Sequence, residues 1–278
     1  MAKDIRNQSA EKQQEKKEIE AELEFLIRAM EEASSLALQY WKQGVKAQIK
    51  TDFHSIRTEA DMAVGDFLKT SLKSLYPSFT IIEEETGGIE SPNLLTIDPI
   101  DGTNVFERGM EDWCLSVAKI VNGQPVAGLI SAPARRVPEM YVAYAEYGAY
   151  MNGEPITVSE IKRMQEGTIT VGQRNIRRDE DGSIRRLTGQ FRRLWVPGST
   201  SLALANIARG RIDVVIAQGQ PVWDVAPGFA LVREAGGRAT LWNGKEELDT
   251  SGNSTNDILV SNGLLHEQVR RQLSSVSV

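Results

Sequence analysis

The chain has 278 residues, with 32 Lys and Arg against 38 Asp and Glu, a formal net charge of -6, 41% hydrophobic residues and 25% charged ones. That length holds one large α/β domain or two smaller ones with a sizeable core, and an acidic chain offers no basic field for a nucleic acid polymer. A lone Cys114 excludes an internal disulfide and suits a reducing compartment. No apolar run reaches membrane-spanning length, and the polar N-terminus lacks a secretory core, so a cytoplasmic protein with no membrane partner is expected.

Residues 1–18 are almost wholly polar and read as a charged tail or a helix extension. From Ile19 the apolar residues Leu23, Leu26, Ile27, Met30, Ala33, Ala37 and Leu38 recur at helical spacing, and Gly44 supplies a stop. A polar stretch, 49–61, holds Lys50 and leads into a second amphipathic helix; Thr58 and Asp61 have capping-box spacing there. Pro77 ends that helix, and Phe79 to Ile82 read as a strand running into Glu83, Glu84 and Glu85. Strand alternation predicts Glu84 on one side and Glu83 with Glu85 on the other.

Leu94, Leu95 and Ile97 predict a buried strand ending in Asp98-Pro99-Ile100-Asp101-Gly102-Thr103. Pro99 lacks an N–H, so the pairing ladder is expected to stop there. Gly102 permits a tight turn, and Thr103 can cap a helix or orient a water. Two carboxylates and a hydroxyl at a strand end make an oxygen-rich pocket suited to a hard divalent cation, although a solvated acidic turn has the same sequence.

Strands follow over 115–121, 126–131, 140–144 and 149–151, with Asn122-Gly123 and Asn152-Gly153 as hairpin turns. A strand restarts at 168–172. The arginine-rich stretch 174–193 reads as an exposed loop and helix, usually a solvated face and otherwise a phosphate contact. A second α/β part is expected from about Leu194. Gly198-Ser199-Thr200 opens a helix closed by Gly210, and 212–217 is a buried strand. Trp223-Asp224-Val225-Ala226-Pro227-Gly228 then precedes a helix, where Asp224 could serve simply as an N-cap. Strands at 240–242 and 258–260 and a final helix to about Leu273 complete a mixed α/β chain with two parts, 19–157 and 158–278.

Asp61, Glu84, Asp98, Asp101 and Asp224 each sit at an element end. Carboxylates are costly to gather without cations, and a cluster of two or three metal ions would neutralise them. His54 and His266 are the only histidines and Cys114 the only cysteine, which fits a chemistry that needs neither residue type as a nucleophile.

In order, Thr58-Glu59-Ala60-Asp61, Glu84-Glu85, Asp98 to Thr103 and Trp223 to Gly228 resemble the inositol monophosphatase family, over roughly residues 19–273. The resemblance implies a layered αβαβα sandwich, two or three Mg2+ ions, lithium sensitivity, a homodimer and hydrolysis of a small phosphorylated metabolite. It places Glu84, Asp98 and the carbonyl of Ile100 on one Mg2+, Asp98, Asp101 and Asp224 on a second, and Glu84 on a third through water. Thr103, Asp61 and Glu84 would form the catalytic set. Gly102 and Thr103 amides would grip the phosphate, Gly198, Ser199, Thr200 and Asp224 would line the substrate pocket, and Lys50 would ride a loop over the metals.

One departure bears on the substrate. Where inositol monophosphatases carry a Glu that contacts inositol hydroxyls, this chain has Ala217, followed by Gln218. Strict selectivity for inositol 1-phosphate is therefore not expected. A 3'(2'),5'-bisphosphate nucleotidase, a fructose-1,6-bisphosphatase and a histidinol-phosphatase remain alternatives within the family, and a non-catalytic scaffold or regulator that keeps the fold is the alternative from another functional class.

Overall fold

The computed structural model describes residues 2–44, 46, 48–49, 56–89, 91–177, 179–180, 182–251 and 254–273; the expectations for Lys50 and His54 fall outside them. Helix α1 runs Ala2–Gln43 and stops at Gly44, whose φ of 72° is open to glycine. The charged N-terminal stretch thus continues the first helix. Two short strands, β1 (Gln48–Ile49) and β2 (Ile56–Arg57), pair antiparallel.

Helix α2 (Glu59–Leu75) leads to β3 (Thr80–Glu83), β4 (Asn93–Asp101), α3 (Thr103–Glu107), β5 (Cys114–Val121), β6 (Gln124–Ala132), β7 (Glu139–Tyr144), β8 (Gly148–Met151) and β9 (Glu154–Pro155). These seven strands form one sheet in sequence order, parallel only between β3 and β4. The Asn122-Gly123 and Asn152-Gly153 turns both take positive φ at each residue, as two-residue hairpin turns require.

The second half comprises β10 (Thr168–Val171), α4 (Gln173–Arg177), α5 (Ser183–Thr188), β11 (Arg193–Leu194), α6 (Thr200–Ala208), β12 (Val214–Gln220), α7 (Val222–Glu234), β13 (Arg238–Leu241), β14 (Asn256–Ser261) and α8 (His266–Leu273). Its five strands are ordered β11-β10-β12-β14-β13. Strand β10 already belongs to this sheet, so the second part starts well before Leu194.

Strand alternation sets the layers. Leu95 and Ile97 of β4 face Leu26, Met30, Val64 and Leu68 of α1 and α2. Leu94, out of phase with them, faces the opposite side with Ala118 and Ile130, against Leu204 of α6 and Phe229 of α7. Val215 of β12 and Val260 of β14 close on those same two helices, whereas Val214, Ile216 and Leu259 turn outward to Ile184, Leu187 and Val269. The order is therefore helix pair, sheet, helix pair, sheet, helix layer: an αβαβα sandwich.

Candidate metal centre

Strand β4 does not stop at Pro99. It bulges: Asp98 stands opposite Ser116 and Asp101 opposite Cys114, so two residues of β4 face one of β5. Proline cannot donate to the ladder, and the extra residue absorbs that loss. Residues three apart would otherwise face opposite sides of the sheet; the bulge brings both carboxylates to the same end. Asp98 is 2% and Asp101 7% exposed. Gly102 follows with φ 98°, caps α3 and carries the turn past Gly198, whose backbone oxygen would lie 3.3 Å from a Cβ at position 102. Thr103 Oγ1 donates to the Ile100 carbonyl at 3.1 Å and lies 3.5 Å from Asp61 Oδ1.

The start of α2 brings in the second group. Thr58 is the N-cap, and its N–H and its hydroxyl both donate to Asp61 Oδ2 at 2.6 Å. Asp61 is fully buried, and burial outweighs those bonds to push its carboxyl up to about 7. Beyond it, β3 ends at Glu83 and residues 84–86 form a turn. The alternation expected for the three glutamates therefore fails. Buried Glu83 turns away to Lys69 Nζ at 3.3 Å and Thr86 Oγ1 at 2.6 Å. Glu84 and Glu85 both approach Asp61, with one oxygen of each of the three within 4.8 Å of the others. Glu85 is the residue the site prediction missed; the signal available was the Thr86-Gly87 pair, which ends the strand before alternation can apply.

Helices α6 and α7 supply the third group. Asp101 accepts from Ser199 Oγ at 2.8 Å, Thr200 N at 3.3 Å and Ser201 N at 2.6 Å, so it sits on the N-terminus of α6. Ser199 also caps that helix through Leu202 N at 3.0 Å. Asp224 is not the cap of α7. Pro221 holds that place, and Asp224 lies in the first turn. A cavity of about 310 Å3 opens here, lined by Asp101, Gly198, Ser199, Thr200, Ala217 and Asp224. Gln173 also lines it, but no described side chain of the arginine-rich 174–193 does.

These groups repel one another. Burial, with the charges of Glu84, Asp101 and Asp224, holds the Asp98 carboxyl well above its usual range. Asp101 is raised by burial too, against the donors of α6. Cys114 Sγ lies 3.3 Å from Ser199 Oγ, but burial keeps its thiol protonated. The donor set is thus carboxylate and carbonyl oxygen around a shared centre, which fits a hard divalent cation and not a thiolate-loving one.

The comparison that decides the family is the match of residues 18–277 to the model of the inositol monophosphatase family. The chain belongs to that family. It is 32% identical over 255 residues to a fructose-1,6-bisphosphatase/inositol-1-monophosphatase of Thermotoga maritima, covering 91% of this chain and 96% of that one. An inositol-1-monophosphatase of Synechocystis is 28% identical, covering 91% of this chain and 88% of the relative. Among solved structures, an inositol monophosphatase of Thermotoga maritima superposes with a TM-score of 0.81 at 32% identity, over 91% of this chain and 97% of that one. In this inositol monophosphatase family member, Asp61 lies beside Glu84 and Glu85 and meets Thr103 past the β4 bulge, Asp98 feels the charges of Glu84, Asp101 and Asp224, and Gly198, Ser199 and Thr200 line the cavity that Asp101 and Asp224 share.

Proposed function

We propose that this chain hydrolyses a small phosphate monoester with two or three Mg2+ ions, at the centre where the β4 bulge meets α2, α6 and α7. The observation that supports it is the convergence of Glu84, Asp101 and Asp224 on the buried Asp98, whose carboxyl is held well above its usual range by burial and by their charges and so calls for a cation. Glu84, Asp98 and the Ile100 carbonyl would hold one ion, Asp98, Asp101 and Asp224 another, and Glu84 and Glu85 could share a third. Bound Mg2+ supplies charge screening for the phosphate dianion and acidifies the attacking water.

The chain's own residues do the orienting. Thr103 spends its proton on the Ile100 carbonyl or on Asp61, which leaves its oxygen lone pairs to accept from the attacking water. Asp61, fixed by Thr58, sets that rotamer. The Gly102 and Thr103 amides, at the start of α3, would meet the phosphate, and Gly198, Ser199 and Thr200 line the cavity where the leaving alcohol would sit. Ala217 removes a charged side chain from that wall, which favours a substrate range broader than inositol 1-phosphate.

We further assign the fold to one catalytic domain, 19–278, with 1–18 as an extension, consistent with a family match that begins at residue 18. A cytoplasmic homodimer inhibited by lithium is part of the same reading. Leu194 and Trp195, exposed at the end of the edge strand β11 and just after it, favour self-association, which light scattering would measure. Among the described residues no helix is long and apolar enough to cross a membrane.

Phosphate release from inositol 1-phosphate, fructose 1,6-bisphosphate, histidinol phosphate and 3'-phosphoadenosine 5'-phosphate, with Mg2+ and with EDTA, tests the proposal. Activity indifferent to EDTA and to Asp98→Asn would remove it.

A further inference from the structure

Two buried serines outside the proposed ligand set connect its three aspartates. Helix α7 carries Pro227 in its second turn, so the carbonyl of Trp223 loses the N–H that a regular helix would offer it. Ser116 Oγ of β5 lies 3.3 Å from that carbonyl. One residue on, the carbonyl of Asp224 accepts from Ser201 Oγ of α6 at 2.8 Å. The two hydroxyl oxygens are 3.4 Å apart, and both serines are fully buried. Each hydroxyl has one proton, and the shorter contact claims that of Ser201 for Asp224, so Ser116 is left to donate to Trp223.

The other ends of these residues reach the remaining two aspartates. The Ser201 N–H donates to Asp101 Oδ2 at 2.6 Å, and Ser116 is the cross-strand partner of Asp98. Close backbone approach seats the following turn of α7. A Cβ at Gly128 would lie 2.3 Å from the Pro227 oxygen, and one at Gly228 would lie 2.4 Å from Leu204 Cβ.

We infer that Ser116 and Ser201 are positioning residues for the cation: the pair of hydroxyls fixes the first turn of α7, and with it Asp224, in register with Asp98 and Asp101. The sequence alone gives no sign of this, because the contacts span 85 and 107 residues. The inference rests on the metal-centre reading above.

The test is Mn2+ binding to the full chain, read as the electron paramagnetic resonance signal of free ion, well below the melting temperature. Wild type and Asp98→Asn come first. If wild type binds no Mn2+, or Asp98→Asn binds it equally well, the metal-centre reading fails and takes this inference with it. Given binding that depends on Asp98, Ser201→Ala and Ser116→Ala should each raise the Mn2+ dissociation constant by about tenfold, the usual scale for outer partners of a metal ligand. The double variant should fall short of the product, because both hydroxyls brace one turn. Ile207→Val, on α6 but away from the bridge, is the packing control: it should lower the melting temperature without moving Mn2+ affinity. Serine variants that lose melting temperature like the control but keep Mn2+ affinity within about twofold would overturn the inference. Ser201→Cys and Ser116→Cys put a slightly larger and much weaker donor in place of the hydroxyl without opening a cavity, and the same criterion applies to them if an alanine variant does not fold.

Discussion

Thr103 and Asp61 meet across 42 residues of sequence, with Thr103 Oγ1 3.5 Å from Asp61 Oδ1. The other oxygen of Asp61 is already committed to Thr58 twice over, so the carboxylate cannot swing away. The Thr103 hydroxyl is therefore held between a carboxylate and the Ile100 carbonyl, and only its lone pairs remain for a third partner. Thr103→Val keeps the shape and deletes the hydroxyl. Its kcat should fall by about 10²–10³ with KM little changed, within the usual range for a group that manages a proton in the transition state. Thr103→Ser should recover most of the rate. Steady-state kinetics on whichever monoester is turned over would decide it, and an unchanged kcat for the valine variant would remove Thr103 from the reaction.

Asp98→Asn should separate stability from function. In the ion-free protein Asp98 is buried among like charges, which disfavours its carboxylate. Asparagine keeps an oxygen for the Ile100 N–H, bonded at 3.0 Å in the native chain, and removes the charge. Without divalent ion the variant should melt about 2–4 °C higher than wild type, a gain of about 1 kcal/mol. Saturating Mg2+ should stabilise wild type by ligand linkage and the variant hardly at all. Differential scanning calorimetry with EDTA and with Mg2+ gives all four values; equal Mg2+ stabilisation in both proteins would contradict the assignment.

Local signals carried much of this in advance. The Asp98-Pro99-Ile100-Asp101-Gly102-Thr103 stretch announces a strand, a break and an oxygen-rich end, and Gly44, Gly210 and Gly236 mark helix stops, each at positive φ. What the chain order could not reveal is pairing. Whether Pro99 ends a strand or bulges it depends on β5, whose Cys114 and Ser116 supply the register. Alternation misplaced Glu85 because it assumes an extended backbone, and residues 84–86 are a turn. Asp101 was legible as an acid at a strand end but not as the anion seated on α6, since Ser199, Thr200 and Ser201 are some hundred residues away. Asp224 lies inside the first turn and not at the cap because α7 already starts at Val222, behind Pro221.

Lys119 should be an anchor of the long first helix. Its Nζ is 2.6 Å from Glu22 Oε1 of α1 and lies over the rings of Tyr76, Phe79 and Tyr144 at 4.9, 5.7 and 5.5 Å. The Tyr76 hydroxyl also donates to Glu22. Removing one partner strands the other charge in a largely buried place, so Lys119→Met should cost about 3 kcal/mol in urea unfolding. Glu22→Gln with Lys119→Met should recover part of that loss, because no unpaired charge remains. Phosphatase activity of the folded single variant should match wild type, since the cluster lies outside the catalytic set; a matching stability would show that α1 is held by its apolar face alone.

His266 makes acid stability predictable. It is fully buried at the start of α8, with Nε2 3.0 Å from Thr240 Oγ1 and Nδ1 3.0 Å from Ser261 Oγ. Thr240 spends its proton on the Leu241 carbonyl at 2.8 Å, so Nε2 carries the hydrogen and Nδ1 accepts from Ser261. That tautomer is neutral. Burial, helped by Arg238 and Arg270 and opposed by Glu267, holds the imidazole down at about 4. The unfolded chain therefore takes up the proton first, and stability rises with pH across the interval. The contribution is complete above the ordinary histidine value near 6.5 and drains away as pH falls toward 4, about 3 kcal/mol over the interval. His266→Gln should be less stable at pH 7, where it loses two well-made hydrogen bonds, yet it should lack this part of the acid slope. Urea unfolding of both proteins at pH 7.0, 5.5 and about 4.5 gives the difference directly, free of the carboxylate titrations they share. A gap between the two curves that stays constant with pH would mean that His266 already titrates normally in the folded chain.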